Sequence, residues 1–286
     1  MSPMHTDTPV QHLTVPEGRI AYTDAGAGPL VVLVPGMGDL RATYAPVVPV
    51  LVDAGYRVVV TDLRGHGDSD TDFRSYGDEA TASDLLALVE HLDAGPAVLV
   101  GSSMGGSAAV IAAADRPELV RGVAMLAGLL REPVSPPVGA VLRLAYRVLF
   151  ARPWGAAVWG WYVRSMLSKG RPTPDLDGRI ALLREALGDP AHLRAFRRLA
   201  VALDHRQVER RLADVRTPVL AFYGDTDPDF SDVEAELAFA RETVGAEGVV
   251  LQGVGHYPHL QATDDVLALL LPFLASTTGH EADADA

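Results

Sequence analysis

The run Gly101-Ser102-Ser103-Met104-Gly105 places a serine between glycines two positions before and two after it, with Gly106 next in line. A serine hydroxyl becomes a nucleophile when a base removes its proton and the backbone thrusts it out of the chain. A tight turn between a strand and a helix does the second job. Its backbone is strained, and small residues on either side avoid clashes. The apolar run Ala97-Val98-Leu99-Val100 ahead and the helical run Ser107 to Ala114 behind are the flanks such a turn needs. The helix start also offers unpaired N–H groups to developing negative charge. Partners for the serine stand near the other end of the chain. His256 lies in Gly253-Val254-Gly255-His256-Tyr257-Pro258, and Asp225, Asp227 and Asp229 crowd the turn after Tyr223. Aspartates in turns also cap nearby backbone N–H groups, so that segment leaves the choice of acid open.

Positioning these groups requires a sheet. Leu30 to Val34, Arg57 to Thr61, Ala97 to Val100 and Gly122 to Leu126 are short, nearly all-apolar runs, as buried parallel strands are. Tyr44 to Ala54, Glu79 to Leu92 and Met104 to Ala114 lie between them with helical length and periodicity. His12 to Val15 and Arg19 to Thr23, joined by Glu17-Gly18, read as an antiparallel hairpin at the sheet edge. Strands resume at Pro218 to Tyr223 and Gly248 to Leu251, giving eight, followed by a last helix from Asp264 to Leu274. The aspartate turn and the histidine loop each follow a strand. That puts them on the carboxyl edge of the sheet with Ser103.

From Arg131 to Asp214 the rhythm changes to arginine, leucine and alanine with three tryptophans and no strand-like run, which reads as a helical insertion. The expected organisation is a core domain of residues 10–130 and 215–275, an insertion of residues 131–214, and disordered tails at 1–9 and 276–286. Within the insertion, Trp154, Trp159, Trp161 and Tyr162 are candidates for an apolar pocket over the serine, or for the insertion's own packing. Arg143, Arg147, Arg152 and Arg164 could pair with a substrate carboxylate or simply form solvated helix faces.

In chain order serine, aspartate, histidine, and in these motifs, the sequence resembles the α/β-hydrolase superfamily, in its branch of serine esterases, haloperoxidase-like enzymes and carbon–carbon bond hydrolases. Asp62-Leu63-Arg64-Gly65-His66-Gly67-Asp68-Ser69 is similar to the family's loop after the fourth strand, and Gly255-His256-Tyr257-Pro258 to its catalytic-histidine loop. The resemblance runs from about His12 to Leu274. It implies an α/β-hydrolase fold: a mostly parallel eight-stranded sheet, helices on both faces, and a helical cap. It implies Ser103 as nucleophile, His256 as base and, from the family's spacing after the glycine, Asp227 as the orienting acid, with Asp225 the next choice. The oxyanion donors would be the N–H of Met104 and that of Met37 in Pro35-Gly36-Met37-Gly38. His66 would organise its loop, and His259 would face away from the site. The family often has histidine where this chain has Pro35 and Ser102. Neither position supplies an essential proton. No metal and no organic cofactor are implied.

The expected function is hydrolysis of an ester or related acyl bond in a small apolar substrate. The same triad could serve a carbon–carbon bond hydrolase or lactonase, or a perhydrolase side reaction, and the fold also has non-catalytic binding members. Epoxide hydrolase and haloalkane dehalogenase chemistry are disfavoured, since those relatives put aspartate at the position of Ser103. A net charge of −13 argues against nucleic acid as a partner. With no cysteine there are no disulfides or thiolate sites. The opening residues lack the pattern of a signal peptide, and the longest apolar run, Val266 to Leu274, is too short to span a bilayer. A cytoplasmic monomer or homodimer is the expectation.

Overall fold

The structure is a computed structural model that describes residues 8–280. Eight strands form one sheet: β1 Gln11–Val15, β2 Gly18–Ala25, β3 Leu30–Val34, β4 Arg57–Thr61, β5 Ala97–Ser102, β6 Val120–Leu126, β7 Val219–Gly224 and β8 Glu247–Leu251. Their spatial order is β1-β2-β4-β3-β5-β6-β7-β8. The leading hairpin pairs antiparallel and β2 pairs antiparallel with β4, while β3 through β8 run parallel. All five residues of β3 are buried, because neighbouring residues point to opposite faces and both faces are covered. Val32 and Val34 join one core layer, Val31 and Leu33 the other. The alternation explains why these strands carry no polar face.

Helices α1 Val48–Asp53, α2 Asp78–Leu92 and α3 Met104–Asp115 connect the first parallel strands. The segment read as one helix from Tyr44 opens instead with a 3-10 turn, Arg41–Tyr44, before α1. Between β6 and β7 there are only helices: α4 Pro136–Leu149, α5 Gly155–Tyr162, α6 Leu176–Ala186, α7 Pro190–Ala202 and the short α8 Arg206–Glu209. They share their own apolar cluster, in which Phe150, Trp159, Leu193 and Phe196 meet Tyr257 and Leu260 from the histidine loop. The insertion is thereby packed onto the edge of the sheet where the motif loops emerge.

Three further helices lie among the described residues: α9 Val233–Val244, α10 Pro258–Gln261 and α11 Thr263–Thr278. Helix α9 was not anticipated. Its signal is a cap at Asp232, whose carboxylate accepts from the N–H of Ala235, followed by an apolar stripe through Val233, Leu237 and Ala240. Helix α11 continues through Ser276, Thr277 and Thr278, residues whose polarity had placed them in a tail. The threonine hydroxyls donate to carbonyls one turn back, Thr277 to Phe273 at 2.8 Å and Thr278 to Leu274 at 2.7 Å, and so are accommodated in the helix. Gly279 at φ 69° then ends it. Residues 1–7 and 281–286, the rest of the expected tails, lie outside the described residues. Among the described residues no helix is long and apolar enough to cross a membrane.

Candidate active site

Ser103 occupies the turn between β5 and α3 with φ 51° and ψ −125°, a conformation rare for a residue with a side chain. Its N–H donates to Leu126 O at 2.8 Å and its carbonyl accepts from Gly106 at 2.9 Å. The glycine spacing has a steric cause. A Cβ on Gly101 would lie 2.3 Å from the Gly105 backbone, and one on Gly105 would lie 2.6 Å from the carbonyl oxygens of Val34 and Pro35.

Because β3 and β5 are neighbours, with Val34 paired to Gly101, the loop after β3 lies directly beside this turn. A Cβ on Gly36 would come within 2.9 Å of Ser103 Cβ. The N–H groups of Met37 and Met104 donate to no acceptor among the described residues, and both residues line the same cavity as Ser103. Two contacts fix that loop. The N–H of Gly38 donates to His66 Nε2 at 3.0 Å, while His66 Nδ1 donates to Arg64 O at 2.8 Å. Burial pushes the His66 imidazole down to about 4, so it stays neutral as an acceptor. Above, Trp159 Nε1 donates to Gly38 O at 2.8 Å.

Strands β7 and β8 deliver the other two groups. His256 Nδ1 donates to Asp227 Oδ2 at 2.8 Å, and Asp227 is fully buried. The remaining ring nitrogen, Nε2, has no protein partner among the described residues, and His256 lines the same cavity as Ser103. The histidine loop is held by the insertion: the His256 N–H donates to Leu167 O at 2.9 Å. Gln261, which carried no sequence signal, accepts from the Gly255 N–H at 3.0 Å and donates to the carbonyls of Lys169 and Arg171.

Asp225 is exposed and accepts from the Val254 N–H at 3.2 Å, away from the imidazole. Asp229 is the other carboxylate at the histidine, 3.5 Å from Nδ1 and within 3.5 Å of the Tyr162 hydroxyl. Burial raises the pKa of Asp229 and the Asp227 charge adds to this. Burial disfavours charge on His256, yet the Asp227 and Asp229 carboxylates outweigh it and raise the imidazole above its ordinary value. Asp227, Asp229 and His256 could offer a metal three ligand atoms within 4.8 Å of one another. An ion bound at Nδ1 and Oδ2 would have to replace the hydrogen bond between them.

His259 is buried elsewhere, its Nε2 paired with Thr43 Oγ1 at 2.8 Å and its ring stacked on Tyr44. The cavity has a volume of about 510 Å³ and takes in Trp159, Trp161 and Tyr162 of the four aromatic candidates. Trp154 does not line it. Its indole donates to Val148 O at 2.8 Å and is 47% exposed. Of the four arginines, Arg143 lines the cavity and Arg164 pairs with Asp177. Two buried groups without any motif also reach this region: His205, in the cavity wall, and Arg179, bonded to Asp39.

Residues 31–269 match the model of the Alpha/beta hydrolase family. The chain belongs to that family. Among similar proteins is an uncharacterised protein of Mycobacterium tuberculosis, 28% identical over 96% of this chain and 83% of the relative. A 2-heptyl-3-hydroxy-4-quinolone dioxygenase of Rhodococcus erythropolis is 25% identical over 93% of this chain and 95% of its own length. In fold, an alpha/beta hydrolase fold protein from Burkholderia ambifaria superposes with a TM-score of 0.79 at 20% identity, covering 92% of this chain and 97% of that one. Within the alpha/beta hydrolase family, the sheet supplies the frame and the loops at its carboxyl edge supply the chemistry.

Proposed function

We propose that this alpha/beta hydrolase is a serine hydrolase that cleaves an ester or related acyl bond of a small, mainly apolar substrate. The carrying observation is that Ser103, on its strained turn, and His256, held at Nδ1 by Asp227, line one largely apolar cavity. His256 Nε2 takes the Ser103 proton as Oγ attacks the substrate carbonyl. The resulting oxyanion lies against the N–H groups of Met37 and Met104, whose lack of protein acceptors suits them to it. Collapse expels the alcohol, which receives the proton from His256. Water, deprotonated by the same nitrogen, then attacks the acyl-serine and releases the acid. Asp227 holds the tautomer with Nε2 free and stabilises the imidazolium.

The insertion of residues 131–214 acts as the cap in this reading, with Trp159, Trp161 and Tyr162 forming apolar walls of the acyl or alcohol pocket. A series of p-nitrophenyl esters of increasing chain length tests the assignment. Turnover is expected for short and medium chains, with a loss on the order of a thousandfold or more in Ser103→Ala. A folded wild-type protein that turns over none of them contradicts it. A second reading follows from the full-length similarity to the quinolone dioxygenase: His256 could deprotonate a hydroxylated aromatic heterocycle for reaction with oxygen. That reaction needs no acyl-serine, so heterocycle cleavage that persists in Ser103→Ala, without esterase activity in the wild type, would favour it.

A further inference from the structure

Two histidines, not one, line the cavity. Besides His256 there is His205, which stands between α7 and α8 where the insertion returns to the sheet. Its Nδ1 lies 2.8 Å from Asp78 Oδ2, and its own N–H donates to Glu132 Oε2 at 3.1 Å. Asp78 opens α2 and is fully buried, with its second oxygen unpartnered. The imidazole is the group in contact with this buried carboxylate, and a hydrogen bond between the two compensates for the burial of both. Burial opposes the charge on His205, but Asp78, then Glu132 and Asp229, raise its pKa. As an imidazolium it carries a second N–H at Nε2. That atom has no protein acceptor among the described residues, and His205 itself lines the cavity.

Neither the proposed triad nor the oxyanion donors make use of this group. The structure assigns it a place in substrate binding: we propose that His205, held by Asp78, donates a hydrogen bond from Nε2 to a second, neutral oxygen of the substrate, remote from the bond cleaved at Ser103. The preferred substrate is then not a plain hydrocarbon ester but one carrying a further carbonyl or ether oxygen. A carboxylate is the poorer fit. Asp78, Glu132 and Asp229 all act on His205, and Arg143 is the one arginine or lysine in the cavity wall among the described residues. An anion beside His205 would therefore meet these three carboxylates. Retention of the pair as a mere pin between α2 and the insertion would leave Nε2 without a role.

This inference rests on the serine-hydrolase reading for its kinetic form, so a binding measurement accompanies it. In the full-length protein, kcat/KM is compared for p-nitrophenyl alkanoates and length-matched oxoalkanoates, with the keto group moved stepwise along the chain. The wild type is expected to prefer one oxo position by about tenfold or more. In His205→Phe that ratio falls toward one, and His205→Gln, whose amide keeps a donor, restores part of it. Asp78→Asn, which removes the negative charge that favours the imidazolium, also weakens the preference and serves if the His205 variants fold poorly. Independently of turnover, Trp159 and Trp161 report binding of alkyl diketones and matched monoketones to Ser103→Ala. Tighter diketone binding that depends on His205 sustains the anchor even if no ester is hydrolysed. Equal binding of both ketones, or an oxo preference unchanged in both His205→Phe and Asp78→Asn, overturns it.

Discussion

Arg179 of α6 donates from Nη2 to Asp39 Oδ2 at 2.6 Å, while its guanidinium carbon lies 3.8 Å from the centre of the Tyr257 ring. Asp39 is two residues beyond Met37 and Tyr257 directly follows His256. One buried cation in the insertion therefore touches both loops that would carry the chemistry. Arg179→Met leaves Asp39 buried without its partner, which is expected to cost about 3 kcal/mol in urea denaturation. Adding Asp39→Asn should recover part of that loss. Additive effects of the two changes would mean the contact contributes nothing.

The pH profile follows from the carboxylates around His256. As the proposed base His256 would act deprotonated, and Asp227 and Asp229 raise its pKa above 6.5. Esterase kcat/KM should therefore rise with pH through a midpoint above 6.5. Asp229→Asn removes one of the two charges, so its midpoint should fall. An unchanged or higher midpoint in Asp229→Asn would show that Asp229 does not bear on the base.

Strain at the proposed nucleophile should be measurable as stability. Ser103 holds φ 51° and ψ −125°, which glycine adopts with far less penalty. Ser103→Gly is expected to abolish ester hydrolysis while raising the unfolding free energy by about 1 kcal/mol. A loss of stability in a thermal melt would contradict the strain argument.

The tryptophans separate by position. Trp159 is buried and bonded to Gly38 O, so Trp159→Ala should cost about 3–5 kcal/mol and disturb the loop that carries Met37. Trp154 is half exposed, and Trp154→Ala should stay within about 1 kcal/mol and leave ester chain-length preference as it was. Comparable losses for both would refute the division.

These contrasts mark where the sequence is legible. Strands such as Leu30–Val34 declare themselves because both faces are buried and every residue is apolar. Ser103 is legible because clashes with backbone admit only glycine at positions 101 and 105. Arg179 and His205 are different. Nothing in their local pattern sets them apart, and it is the packing of the insertion on the sheet that brings His205 to the cavity wall and Arg179 to Asp39. Trp154 stands close to Trp159 in sequence, yet five residues along a helix turn the side chain by about 140°, onto another face. Helix α9 carries its signal only in the Asp232 cap and the short apolar stripe through Leu237 and Ala240.

The central claim is that Ser103 is an activated nucleophile. Treating the folded protein with a fluorophosphonate and reading intact mass and labelled peptide tests it most directly. The account predicts one adduct, on Ser103, absent from the heat-denatured protein, from Ser103→Ala and from His256→Ala. A folded wild-type protein that takes no label, or takes it at another residue, would contradict it.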